Sequence, residues 1–119
     1  MSSAAVPAFK QSHVAIQDHP SNPYKLAVDN NEFWVSKSNL EAVEWFCTRR
    51  HQHGQNFPCF IVKFDKKFGS PFKSAEFTSD SSGYARSDDI VVAPGPTIYE
   101  YRVQAHGKDD LDPGGGVKG

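Results

Sequence analysis

The chain has 119 residues, 13 Lys and Arg against 14 Asp and Glu, a formal net charge of −1, and aromatic side chains at 13% of its positions. This is the size of one domain, and it lacks the cationic surplus that phosphate neutralisation needs, so nucleic acid is not an expected partner. Nine Phe, four Tyr and two Trp supply a core and exclude a disordered chain, while two Cys are too few for a disulfide-dense scaffold.

Residues 1–12 read as a flexible arm, small and mostly polar, with Val6, Pro7 and Phe9 as its bulky apolar residues. No apolar stretch follows a positive start, and no run approaches the roughly 20 apolar residues of a membrane span. The expected location is therefore cytoplasmic, or secreted if a leader was removed. From there the pattern is strand-like. His13–Gln17 alternates, with Val14 and Ile16 on one face. Residues 24–28 and 32–36 flank Asp29-Asn30-Asn31, a turn signal because Asn and Asp tolerate left-handed φ. Ser38 and Glu41 have the spacing of a helix capping box. Val43, Trp45 and Cys47 instead alternate, so a strand is expected over residues 42–47 with a turn or one helical turn before it.

Phe57–Asp65 carries the strongest strand signal, with Phe60, Val62 and Phe64 on one face. Residues 66–88 read as a long connection pinned by Phe68, Phe72 and Phe77, with room for a short helix or strand. A short apolar strand is expected over 89–93, ended by Pro94-Gly95-Pro96. Residues 97–105 alternate, placing Tyr99, Tyr101, Val103 and Ala105 together. Residues 107–119 read as a polar, Gly-rich tail. Roughly six to eight short strands without a long helix point to an all-β sandwich or small barrel, spanning residues 13–106.

Two stretches resemble a family. Phe57-Pro58-Cys59-Phe60-Ile61-Val62-Lys63-Phe64-Asp65 is similar to the cupredoxin strand that carries the first copper-binding His, a Pro-His followed by alternating Val and Phe and then Asp. Tyr99-Glu100-Tyr101-Arg102-Val103-Gln104-Ala105-His106 resembles the last cupredoxin strand, Tyr-x-Phe-x-Cys-x-x-His. Glu41-Ala42-Val43-Glu44-Trp45-Phe46 resembles the strand before the first His. The resemblance covers about half the chain and implies a Greek-key, cupredoxin-like sandwich. The ligand set departs from the family. The copper thiolate would fall at Val103. The first His would fall at Phe60 by strand parity, or at Cys59 if Pro58 is the anchor, and parity favours Phe60. The axial Met has no counterpart, because the only Met is Met1. Of the usual ligands only His106 stands in place, so the resemblance implies a fold without type 1 copper.

His51-Gln52-His53 is the one close His pair. Two imidazoles at i and i+2 of a strand share a side, and with His106 they could hold copper or zinc. Arg49, Arg50, Gly54 and Asn56 also suit a solvated loop, and no carboxylate or Cys follows at ligand spacing. Cys47 and Cys59 end up on neighbouring predicted strands. They suit either a disulfide or a pair of buried thiols, and the thiols are favoured without a leader. A catalytic Cys served by His51 or His53 has no visible oxyanion device. Asp88-Asp89 and the Asp109, Asp110, Asp112 set lack calcium-loop spacing, and Gly114-Gly115-Gly116 lacks the context of a phosphate cradle. Alternation sends Phe33 and Trp34, and likewise Trp45 and Phe46, to opposite faces. One of each pair must therefore meet solvent, a loop or a partner. The expected function is a non-enzymatic binding or self-assembly module without a cofactor, whose partner is another copy or another protein; the alternative is a copper or zinc protein using His51, His53 and His106.

Overall fold

The computed structural model describes residues 12–48, 57–65, 67 and 69–119, and among these there are nine strands and no helix. The strands are β1 (Ser12–Asp18), β2 (Leu26–Val28), β3 (Glu32–Ser36), β4 (Val43–Cys47), β5 (Ile61–Phe64), β6 (Glu76–Thr78), β7 (Tyr84–Arg86), β8 (Tyr99–Gln104) and β9 (Gly114–Lys118). They form two sheets of order β3-β9-β8-β5-β6 and β2-β1-β4-β7. Both sheets are mixed, because β9 runs parallel to β3 and β1 runs parallel to β4. Packed face to face, they make a sandwich.

The inward face of each strand supplies the core. Val14, Ile16, Phe33, Val35, Val43, Trp45, Val62, Phe64, Tyr101, Val103 and Val117 are buried in it. At its centre, Phe33, Phe64 and Tyr101 meet with ring centroids 5.2 to 6.4 Å apart, and Trp45 stacks on Phe77 at 5.5 Å. Such pairs add about 0.5–1.5 kcal/mol each beyond their buried area. The Trp45 indole N–H donates to the Tyr101 hydroxyl at 3.2 Å, so neither polar tip is left unpaired. Burial pushes the Tyr101 phenol far above its ordinary range, opposed by this bond.

Three expectations take definite form. The Asp29-Asn30-Asn31 turn exists, but it joins strands of different sheets. The Asp29 carboxylate accepts the Ala15 N–H at 2.8 Å, just where β1 runs past the end of β2. The strand expected at 89–93 is reduced to one bridge, Ile90 to Phe72. Val91 N–H still donates to the Pro71 carbonyl at 2.9 Å, but Pro71 has no N–H to return and the ladder stops. The 66–88 connection, for its part, carries β6 and β7.

The largest correction is the expected tail. Gly114–Lys118 is β9, an interior strand whose first four residues are buried. Its glycines are required by their neighbours. In the parallel register Gly115 faces Phe33 and Gly116 faces Trp34. A Cβ on Gly115 would meet the Phe33 ring, and one on Gly116 would meet the Trp34 ring and stand 2.6 Å from the Thr97 carbonyl. The aromatic rings of β3 cover the strand that has no side chains of its own, as in the aromatic rescue of strand glycines.

Candidate functional site

The first candidate is the end of the sandwich where the resemblance to cupredoxins would put metal ligands. Phe60 and Val103 are both 0% exposed and belong to the apolar core. The β5–β8 pairing sets Val62 beside Val103 and Ile61 beside Gln104. The Phe60 N–H donates to Ser79 Oγ at 3.1 Å and its carbonyl accepts the Ser79 N–H at 3.1 Å, so the backbone entering β5 is tied on its other flank. His106 follows β8, is exposed, and lies flat on Phe57 with centroids 3.8 Å apart and planes 5° from parallel. His51 and His53 lie outside the described residues. Among the described residues no group of three His, Cys, Asp or Glu is arranged to hold a metal ion.

Beside this end, Cys47 and Cys59 form a disulfide with Cα atoms 6.5 Å apart. This corrects the expectation of buried thiols. Cys47 closes β4 in one sheet and Cys59 lies two residues before β5 in the other, so the bond ties the two layers where the chain crosses between them. It also takes both cysteine sulfurs out of the thiolate role that a cysteine nucleophile needs.

A second candidate was not found by pattern. Strands β4 and β7 are paired from Phe46–Tyr84 to Glu44–Arg86. Ser87 closes the pair: its N–H donates to the Val43 carbonyl at 2.9 Å and its Oγ accepts the Val43 N–H at 2.8 Å. Beyond that point residues 37–42 and 88–90 part. A groove of about 610 Å³ opens between them, lined by Lys37, Leu40, Glu41 and Ala42 on one side and by residues 86–90 on the other. That volume lies within the range of ligand sites.

The turn that builds one wall is held by reciprocal bonds. Ser36 Oγ accepts the Asn39 N–H at 3.2 Å, and Glu41 Oε1 accepts the Ser36 N–H at 2.8 Å. This is capping-box logic, with Ser36 in place of the expected Ser38. The Glu41 N–H also donates to the Ser36 carbonyl at 3.0 Å, so both backbone groups of Ser36 on the edge strand β3 are bonded to Glu41. At the turn's end Leu40 has φ 55° and is 84% exposed. A left-handed leucine costs roughly 1–2 kcal/mol, and strain of this kind collects at sites that bind. Lys37 and Asp89 add unlike charges to the groove, and Ile90 adds half-buried apolar surface.

The outward aromatics are now assigned. Phe33 and Trp45 are core, while Trp34 and Phe46 lie on outer faces, both partly covered. Trp34 rests against β9 and donates its indole N–H to Glu32 at 2.9 Å. Phe46 shares its face with His13, Glu44, Tyr84 and Arg86. There the His13 imidazole meets the Glu44 carboxylate at 2.9 Å. Burial, followed by a hydrogen bond to Glu44, pushes the Tyr84 phenol up to about 12.

The chain matches no protein-family profile and no curated protein. No helix among the described residues is long and apolar enough to cross a membrane.

Proposed function

We propose that this protein is a non-enzymatic, Greek-key cupredoxin-like module that works by binding another protein or another copy of itself, without type 1 copper. The observation that carries this reading is the complete burial of Phe60 and Val103 at the positions where the resemblance puts an imidazole and a thiolate. A blue-copper centre needs a soft thiolate and two imidazoles converging on one point. Here two apolar side chains pack in the core instead, and the two cysteine sulfurs are joined to each other. The contact surface is the groove beside Leu40, where a strained, exposed leucine stands next to apolar and charged side chains.

The disulfide further supports an oxidising compartment as the place of work, because cytosolic thiols are kept reduced. Elemental analysis of protein purified without a His tag tests the reading. The expected content is below about a tenth of an equivalent of copper or zinc, because a tight site retains its metal by mass action. A stoichiometric metal content would favour the three-His alternative at His51, His53 and His106.

A further inference from the structure

We infer that the open edge of β6 is the surface on which a second copy of this chain docks, strand beside strand, with Glu76 of one copy opposite Thr78 of the other. β6 contributes no residue to the groove beside Leu40, so self-association gains a surface of its own.

Backbone parity is the first support. β6 pairs with β5 in the register Ile61 to Thr78, Val62 to Phe77 and Lys63 to Glu76. The Phe64 N–H donates to the Ala75 carbonyl at 2.7 Å, and the Ser79 N–H donates to the Phe60 carbonyl at 3.1 Å. Ala75, Phe77 and Ser79 therefore turn their peptide groups towards β5, while Glu76 and Thr78 turn theirs away from the sheet. Both residues are exposed, and among the described residues nothing bonds to these outward groups.

The open stretch is bounded at both ends. The Ser74 N–H donates to the Asp88 carboxylate at 3.2 Å, and the Ser74 carbonyl accepts the Ser70 hydroxyl at 2.8 Å. At the other end the Asp80 N–H donates to the Tyr84 carbonyl at 2.9 Å. The remaining sheet edges are guarded. On β3, Asn30 Oδ1 accepts the Glu32 N–H and Glu41 holds Ser36. On β7, Asp80 bonds to both backbone groups of Tyr84. On β2, the outward-turned Leu26 is buried. Proteins guard edges because a bare one pairs with another chain, and β6 keeps two successive outward residues bare.

The register names the occupant. A two-fold axis at Phe77 sets Glu76 of each copy beside Thr78 of the other, and each such antiparallel pair can exchange two N–H···O bonds. Like charges stay apart, because each Glu76 meets a threonine and not the other Glu76. The axis also makes the two Phe77 residues a close, non-hydrogen-bonded pair. Phe77 is the least covered of the buried apolar side chains, at 9% exposure.

Sedimentation equilibrium of the full chain tests this. The contact is small, so a dimer with a dissociation constant of about 10 μM to 1 mM is expected. Amide exchange at Glu76 and Thr78 is expected to slow as protein concentration rises, while exchange at Phe77 is slow throughout. Thr78→Glu sets a second carboxylate beside Glu76 and is expected to weaken the dimer about tenfold, whereas Thr78→Lys is expected to tighten it by about the same factor. Thr78→Pro removes an N–H that β5 does not use and is expected to abolish the dimer with little change in monomer stability. A chain that stays monomeric at about 1 mM, or a dimer indifferent to both charge variants, would overturn the inference. Metal content is unaffected by any of these results, so the proposed function and this inference fail separately.

Discussion

A methyl group at position 115 would stand against the Phe33 ring, which itself touches Trp45, Phe64, Phe72 and Tyr101. The ring cannot give way without moving the centre of the core. Gly115→Ala is therefore expected to destabilise the fold by about 1–3 kcal/mol, as overpacking does. A lower denaturation midpoint at unchanged slope would register it. Tyr101 predicts a second effect. Tyr101→Phe leaves the buried Trp45 N–H without its acceptor, at about 1–3 kcal/mol. Its phenol also has a pH signature. The folded-state value is raised above the ordinary 10.0, as is that of Tyr84, so the stabilisation is complete below pH 10 and is lost as pH rises above it. Urea midpoints measured from neutral pH to about pH 11 should fall, and fall less steeply in Tyr101→Phe. The sequence singled out Tyr101 by alternation. It could not reveal Gly115, because three glycines in a polar context read the same whether they are a tail or a strand under two rings.

At the scale of elements, the Cys47–Cys59 disulfide closes a loop with a sequence separation of 12 across the two sheets. Chain entropy alone assigns such a bond about 3 kcal/mol. Cys47→Ser/Cys59→Ser is expected to fold with stability reduced by that order, and alkylation of the untreated protein should find no free thiol. The turn between β6 and β7 makes the same crossing without a covalent bond. The Asp80 carboxylate accepts the Ser82 hydroxyl at 2.7 Å and the Tyr84 N–H at 3.1 Å, while Gly83 supplies the left-handed residue at φ 81°. These bonds, that of Ser82 foremost, hold the Asp80 carboxyl below its ordinary range. Their contribution is present at neutral pH and is lost as pH falls through that lowered value.

Strands β1, β3, β4 and β8 were legible because each alternates over at least five residues. β6 and β7 are three residues long, too short for a period to register. The pairing of Cys47 with Cys59 was left open because spacing along a chain does not say which strands face each other.

The whole molecule carries the functional reading. Two sheets, closed by a disulfide at one crossing and an Asp turn at another, enclose a core that extends to Phe60 and Val103. The all-β, sandwich-like architecture was visible in the sequence because strand-period alternation runs through most of the chain. The groove was not, because it forms where β4 and β7 diverge and joins residues 37–42 to residues 86–90, which no local pattern connects. His106 illustrates the difference between a motif and a site: its place after β8 matches the resemblance, yet its imidazole lies on Phe57 at the surface. The most direct test of the central claim is copper(II) titration of the tag-free protein, followed by visible absorption and thermal denaturation. The expected result is no intense charge-transfer band and no rise in melting temperature at one equivalent. A melting temperature that rises at one equivalent, and ceases to do so in His106→Ala, would contradict it and establish a metal centre at this end of the sandwich.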